Sequence, residues 1–429
     1  MPKVTEVYLG LGSNVGERVQ NIEKAIQELA SVFIPQTLKV ACVYENAALL
    51  PEGAPQEWNL PFLNTVVSGK SSFAPEELLQ KIKEIELKVG RKAEYLKWSP
   101  RALDIDILFY GNKKISKKDI KIPHPEITKR SFVLDPLKDL APARKVFSRK
   151  SILQLSRKHP THLPVLMKIL NVTPDSFSGD GILKTKEELS KLFSNWPSAS
   201  FQVLDIGAES TRPGASEVSP QEEWKRLKQI FKAIEPFTRG LFLKPKISID
   251  TRRAAIAEKA LLWGADIIND VSALGDPKML EVLKKYECDY VLMHSLSVPV
   301  NPKLHIDKKV NATKEVYDFF KKKMSLLRKN KISLDRIILD PGIGFGKTAE
   351  QSFELIQNIE KFQSLGCRVL VGHSRKSFLA SISKSEAKDR DPETLGVSFY
   401  LLKKGIDILR VHNTELHAKA FASWNGLSS

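Results

Sequence analysis

Two aspartates lie two positions apart in an apolar run, "RALDIDILFYG", from Arg101 to Gly111. Successive side chains of a strand point to opposite faces, so Asp104 and Asp106 share one face and Leu103, Ile105 and Ile107 share the other. Adjacent carboxylates repel, and one tends to keep its proton unless a cation lies between them. Hard divalent cations such as Mg²⁺ take oxygen ligands and bridge carboxylates to nucleotide phosphates. Spacing alone leaves two readings open: a solvated strand face, or a metal site that serves phosphate transfer.

A second set of chemical groups recurs later in the chain. Eight apolar runs follow one another, and each ends in polar or charged residues. In order these are Asn171; Asp205 with Glu209-Ser210-Thr211-Arg212; Asp250; Asn269-Asp270; His294; Asp340; Ser374-Arg375-Lys376; and Arg410 with His412. Eight buried parallel strands alternating with helices predict a (β/α)8 TIM barrel, whose chemistry belongs at the C-terminal strand ends. Any one of these residues serves equally well as a cap or turn, Asp250-Thr251 and Asn269-Asp270 among them. The whole set converging on one rim points to a site.

The elements that must position these groups fall into two domains. Residues 1–145 read as α+β: a strand at "EVYLGLG", a helix from about Glu17 to Ser31, and strands at "TLKVACVYE" and "FLNTVVSGKS". A helix then starts at Pro75 and stops near Gly90, and the aspartate strand follows. Residues 146–163, rich in Pro, Lys and Arg, read as an exposed linker, although "SILQL" is apolar enough to dock. Residues 164–429 form the barrel, with helix starts expected at Thr185 with Glu188 and at Ser219 with Glu222, both capping-box patterns.

Composition narrows the class. A chain of 429 residues exceeds one ordinary core, and 42% hydrophobic residues suit a globular protein. Cys42, Cys288 and Cys367 are scattered without a CxxC, which argues for a reducing compartment and against disulfides or zinc. The N-terminus lacks a signal-peptide pattern and no apolar stretch reaches membrane-spanning length, so a cytoplasmic location and no membrane partner are expected. The net charge of +17 raises the question of nucleic acid. The lysines are dispersed, however, and clusters such as Lys321 to Lys323 lack interleaved aromatics; anionic small substrates account for the charge without nucleic acid. Two motifs are decoys. "PGIGFGKT" has Pro341 where a Walker A loop needs Gly, and "GLGSNVG" has Val15 where GxGxxG needs Gly.

The barrel motifs "ILNVTPDSFSGDG", "GAESTRPGA", "SIDT", "IIND", "LDPGIGFGK", "GHSRKS" and "RVHN" resemble dihydropteroate synthase. The N-terminal "GLGSN", "FLNTVV", "WSPRALDIDIL", "IPHPEI" and "KRSFVLDPL" resemble 6-hydroxymethyl-7,8-dihydropterin pyrophosphokinase, which implies a ferredoxin-like fold for that half. The two are consecutive steps of folate synthesis, and fused forms are known as a type. The chain departs from the first family in the loop "ENAALLPEGAPQEW" and in "RKAEYLKWSPR".

The resemblance implies roles. Asp104 and Asp106 would hold two Mg²⁺ that bridge ATP phosphates, and Arg91, Lys97, Arg101, His124 and Arg130 would grip the triphosphate. Asn64 and Phe132 match the pterin-binding positions. In the barrel, Asp250, Asn269, Asp340 and Lys376 would meet the pterin, and Asn171, Arg410 and His412 the pyrophosphate, with a further Mg²⁺. Thr211, Arg212, Phe345 and Ser374 would face 4-aminobenzoate, and a homodimer through the barrel is a further expectation. Alternatives are a fusion with one inactive half and a pterin-binding methyltransferase, which shares the barrel.

Overall fold

A computed structural model describes residues 4–91, 96, 98–147, 149–172, 180–194, 196, 200–209, 217–301 and 303–428. These form two compact units, Met1–His162 with Gly240–Lys244, and Leu163–Arg239 with Pro245–Ser429.

The first unit runs β1 (Thr5–Ser13), α1 (Arg18–Leu29), β2 (Lys39–Val40), β3 (Tyr44–Asn46), β4 (Phe62–Ser71), α2 (Pro75–Val89), β5 (Asp104–Tyr110), β6 (Ile115–Ser116), β7 (Lys121–Ile122), α3 (Ser131–Leu140) and α4 (Ile152–Arg157). The main sheet has the order β2-β4-β1-β5, with β3 also on β4, and its pairs are antiparallel. Since β2 and β3 together stand in for one second strand, this is the ferredoxin-like order. Apolar residues at helical spacing explain α1 and α2: Ile22, Ala25, Ile26 and Leu29, then Leu78, Ile82 and Ile85, are all buried. Gly90 ends α2 in the left-handed conformation (φ 113°), which a residue without Cβ adopts freely.

The alternation read from the aspartate strand holds. Leu103, Ile105 and Ile107 are buried, whereas Asp104 and Asp106 are half-buried on the opposite face. That face is partly covered by α3 and α4 over Tyr8, Val66, Leu108 and Phe109.

Three local expectations differ. The strand expected at "TLKVACVYE" is split, because the Cys42 N–H donates to the Asp139 carboxylate (3.1 Å) instead of to a neighbouring strand. The helix expected from Thr185 instead spans Asp180–Ser194. The segment read as an exposed linker carries α4, and Val146, Ile152 and Leu153 are buried in the core of the first unit. Ser151 accepts from the Gln154 N–H, a capping box that starts α4.

The second unit is a closed barrel of eight parallel strands: β8 (Val165–Asn171), β9 (Val203–Gly207), β10 (Lys246–Asp250), β11 (Ile267–Asp270), β12 (Asp289–Met293), β13 (Ile337–Asp340), β14 (Arg368–Val371) and β15 (Ile408–Val411). Each falls within one of the eight apolar runs. The helices between them are α5 (Asp180–Ser194), α6 (Pro220–Thr238), α7 (Ala254–Leu262), α8 (Met279–Lys285), α9 (Ala312–Lys329), α10 (Ala349–Gln357), α11 (Ile359–Gln363), α12 (Ala380–Ser383), α13 (Asp391–Lys403) and α14 (Thr414–Ser428). Ser219 caps α6 by accepting from the Glu222 N–H at 3.2 Å, as its sequence pattern predicts. Among the described residues no helix is long and apolar enough to cross a membrane.

Candidate functional site

In the first unit the carboxylate pair sits beside a bare stretch of sheet. Gly12 on β1 lies between Asp104 on β5 and Asn64 on β4, and Gly10 faces Asp106. A Cβ at Gly12 would stand 3.0 Å from Asn64 Oδ1, so glycine keeps this strip of the face clear. The "GLGSN" motif thus acts by what it lacks, and its Asn14 accepts from the Arg101 N–H at 2.8 Å, fixing the approach to β5.

Cations are bound to one member of the pair. Arg91 Nη1 donates to Asp104 Oδ1 at 2.7 Å, and Arg101 Nη1 to Asp104 Oδ2 at 3.1 Å. Arg91 is itself held by Glu86, which also accepts from the Ile105 N–H at 2.8 Å. Asp106 Oδ2 lies 4.0 Å from His124 Nε2. Burial first, and the Asp104 charge second, push the Asp106 carboxyl above its usual range, while His124 and Arg130 oppose the rise. Such a carboxylate gains from a cation, so the pair fits a hard divalent metal. Among the described residues no group of three or more His, Cys, Asp or Glu could hold a metal, so phosphate oxygens and water would complete its shell. Arg130 lies over the Phe132 ring at 5.7 Å, and Asn64 donates to Asn46 Oδ1 at 3.3 Å. Lys97 lies outside the described residues.

In the barrel, a cavity of about 1430 Å³ opens at the C-terminal strand ends. Asn171, Asp250, Asn269, Asp340, Phe345, Ser374, Lys376, Arg410 and His412 line it together. Register explains part of this: Asn171, Gly207, Asp250 and Asn269 occupy matched positions on β8, β9, β10 and β11. Thr211 and Arg212 lie outside the described residues.

Arg410, Asn269 and Ser248 are joined through buried Asp205, and Asp250 joins them through Arg410. Arg410 Nε donates to Asp205 Oδ2 at 2.6 Å and Nη2 to Asp250 Oδ2 at 3.2 Å. Asn269 Nδ2 donates to Asp205 Oδ2 at 3.2 Å, and Ser248 Oγ to Asp205 Oδ1 at 2.5 Å. Burial pushes the Asp250 carboxyl up to about 7 against the pull of Arg410, with Asp205, Glu223 and Asp270 adding to the rise. Burial also lowers Lys376 to about 8 despite the nearby Asp340. Lys376 donates to the Ile343 carbonyl at 2.5 Å and stands over the Phe345 ring at 4.5 Å. Ser374 Oγ and His412 Nδ1 are 3.0 Å apart.

Reading motifs did not single out three positioning groups. Glu86 on α2 is 1% exposed and orients Arg91. Asp205 was visible as a strand-end residue, but its service to Arg410 and Asn269 was not. Lys347, set aside with the false Walker A motif, is buried and donates to His294 Nδ1 at 2.8 Å, the His294 carbonyl at 3.0 Å and the Phe345 carbonyl at 2.9 Å. It thereby ties the loop after β13 to the end of β12.

Comparisons with known proteins match both halves. Residues 8–142 match the family 7,8-dihydro-6-hydroxymethylpterin-pyrophosphokinase, and residues 167–412 match the pterin binding enzyme family. The chain is 35% identical to the folate synthesis bifunctional protein of Chlamydia caviae over 98% of each chain. It is 33% identical to that of Arabidopsis thaliana over 95% of this chain and 93% of the relative. Dihydropteroate synthase from Anaplasma phagocytophilum, solved with 6-hydroxymethylpterin-monophosphate, superimposes with a TM-score of 0.55 at 33% identity, covering 62% of this chain and 99% of that one. The Xanthomonas albilineans synthase, solved with 4-aminobenzoic acid, gives 0.55 at 30% identity over 63% and 94%. The chain belongs to the bifunctional folate-synthesis family, a two-domain transferase that joins a hydroxymethyldihydropterin pyrophosphokinase to a dihydropteroate synthase.

Proposed function

We propose that the first unit transfers pyrophosphate from ATP to 6-hydroxymethyl-7,8-dihydropterin and that the barrel condenses the product with 4-aminobenzoate to 7,8-dihydropteroate. The observation that carries this reading is the meeting of Asp250, Asn269, Asp340, Lys376, Arg410 and His412 around one cavity, beside an intact Asp104–Asp106 pair in the other unit.

In the first reaction the hydroxymethyl oxygen attacks the β-phosphorus of ATP in line, the bond to the α-phosphate oxygen breaks, and AMP leaves. Asp104 and Asp106 would hold Mg²⁺, which would supply neutralisation of charge on the triphosphate. Arg91 and Arg101 fix Asp104, and His124 and Arg130 face the transferred group. Asn64 offers its amide to the pterin edge, with Phe132 as the stacking partner.

In the second reaction the amine nitrogen attacks the pterin methylene carbon, the C–O bond breaks and pyrophosphate leaves. Asp250, Asn269 and Asp340 present acceptors and donors to the flat heterocycle, and Lys376 contacts its edge. Arg410 and His412 receive the departing anion, and Asn171 would offer a neutral oxygen to Mg²⁺, which would offset charge on the leaving group. Phe345 and Ser374, with Thr211 and Arg212, face the amine.

The test is a reaction with no other enzyme present. The purified chain with hydroxymethyldihydropterin, ATP, Mg²⁺ and 4-aminobenzoate should yield dihydropteroate, AMP and pyrophosphate. Asp106→Ala should lose AMP formation but still convert supplied pterin pyrophosphate. No dihydropteroate from supplied pterin pyrophosphate would overturn the barrel assignment; AMP formation by Asp106→Ala at the wild-type rate would overturn the other.

A further inference from the structure

The matched pyrophosphokinase region ends at residue 142, and nothing in Ser151–His162 belongs to either motif set. This stretch nevertheless reaches the corner that carries Arg130 and Phe132. Ser131, the residue between them, shares a hydrogen bond with Thr161, Oγ to Oγ1 at 2.8 Å. The Lys129 carbonyl lies 3.1 Å from His159 Nε2. A carbonyl only accepts, so His159 carries its proton on Nε2, and Nδ1 is left as an acceptor. That acceptor faces the Thr161 N–H at 3.3 Å and the Thr161 hydroxyl at 3.1 Å. The chain of bonds therefore starts on residue 129, passes through His159 and Thr161, and returns to residue 131.

One turn deeper the same stretch is anchored again. Asp135 on α3 is wholly buried, and its Oδ1 accepts from Ser156 at 2.7 Å and lies 2.9 Å from His162 Nδ1 and 3.3 Å from Lys138 Nζ. Helix α3 has no side chain capping its own N-terminus, where Arg130 is the cap residue. Its start is held from outside, by Thr161 and His159.

We infer that Ser151–His162 is a positioning element of the pyrophosphokinase site: His159 and Thr161 fix the Lys129–Phe132 corner, and so set where Arg130 and Phe132 stand. This rests on the roles proposed above for those two residues.

The test uses the full chain with His159→Ala and Thr161→Val combined, and with Thr161→Ser as the conservative control. The Lys129–His159 bond is exposed and the Ser131–Thr161 bond half-buried, and circular dichroism with thermal unfolding of the purified chain reports whether the first unit keeps its fold. The double variant should lower kcat/KM for hydroxymethyldihydropterin about tenfold, mostly through KM, since each lost hydrogen bond to a positioning group amounts to a few-fold. Thr161→Ser should restore most of it in an otherwise wild-type chain. Phe132→Ala, measured alongside, separates two failures. If Phe132→Ala damages the first reaction and the double variant does not, the positioning role is overturned and the site reading stands. If neither changes it, the reading of the corner falls and the inference falls with it. A lower melting temperature with unchanged first-reaction kinetics would likewise overturn the inference, since it shows a structural role only.

Discussion

Asp205 is buried on β9 and accepts from Ser248, Asn269 and Arg410, the last of them 205 residues away in the chain. A carboxylate that orients a buried guanidinium holds it through charge-assisted bonds, each contributing about 1.5–3 kcal/mol. Asp205→Asn keeps the shape and removes the charge. Dihydropteroate formation should fall by about 10- to 100-fold in kcat/KM, the equivalent of one such bond, while AMP formation stays at the wild-type rate. A markedly lower melting temperature of the barrel transition would instead indicate unfolding. The same cluster predicts a narrow pH response. Asp250 titrates at about 7 and Lys376 at about 8. As pH falls through 7, Asp250 takes a proton and loses its charged bond to Arg410; as pH rises through 8, Lys376 loses its proton. The kcat/KM of the second reaction, which reports the free protein, should rise to a maximum between these values and fall on both sides. In Asp250→Asn the acid limb should disappear from whatever activity remains. Sequence spacing could reveal Asp104 and Asp106, because a period of two is local. It could not reveal Glu86 or Asp205 as positioning groups, because what each one holds is decided by partners that only folding brings near.

The loop after β13 shows what an element adds to its residues. "PGIGFGK" resembles a phosphate loop, but its glycines serve close packing. A Cβ on Gly342 would lie 1.9 Å from the His294 carbonyl oxygen, and Gly342 has φ 65°. Both facts forbid a side chain there. Gly342→Ala should cost roughly 2–4 kcal/mol, from left-handed strain together with overpacking, and should abolish the second reaction because Phe345 and Lys347 lie on the same loop. Thermal unfolding should show the loss in the barrel transition; a variant as stable as wild type would refute the packing account. Strands and helices of this kind were largely legible: all eight barrel strands, and β4 and α2 in the first unit, follow from apolar period and from Pro and Gly punctuation. The misreadings have local causes. The split at Cys42 depends on Asp139, a side chain far along the chain. Basic and proline content concealed α4, whose few apolar residues include the buried Ile152 and Leu153 and the partly buried Leu155.

At the scale of the whole chain, two complete motif sets predict two halves that work apart, and the structure decides where to divide them. Composition placed an exposed linker at 146–163, so any cut within it would have served. The first compact unit instead extends through His162. Ile152 and Leu153 are at most 1% exposed, and burying a side chain of this kind contributes roughly 1.5–3 kcal/mol. Ending the first piece at residue 145 therefore removes about 3–6 kcal/mol from these two side chains alone, against a total stability of about 5–15 kcal/mol for an ordinary domain. It also strips the buried Asp135 carboxylate of Ser156 and His162. A piece spanning 1–162 should fold with a single cooperative transition and form AMP at close to the full-chain rate. The piece spanning 1–145 should be insoluble or unfold at markedly lower denaturant, and 163–429 should convert pterin pyrophosphate to dihydropteroate unaided. Mixed, 1–162 and 163–429 should make dihydropteroate from hydroxymethyldihydropterin at the rate their separate kinetics give. Equal stability of 1–145 and 1–162 would show that α4 is dispensable and return the boundary to where composition alone placed it. An inactive 163–429 would show that the barrel depends on the first half, and the two activities would then be inseparable for reasons of folding rather than of chemistry.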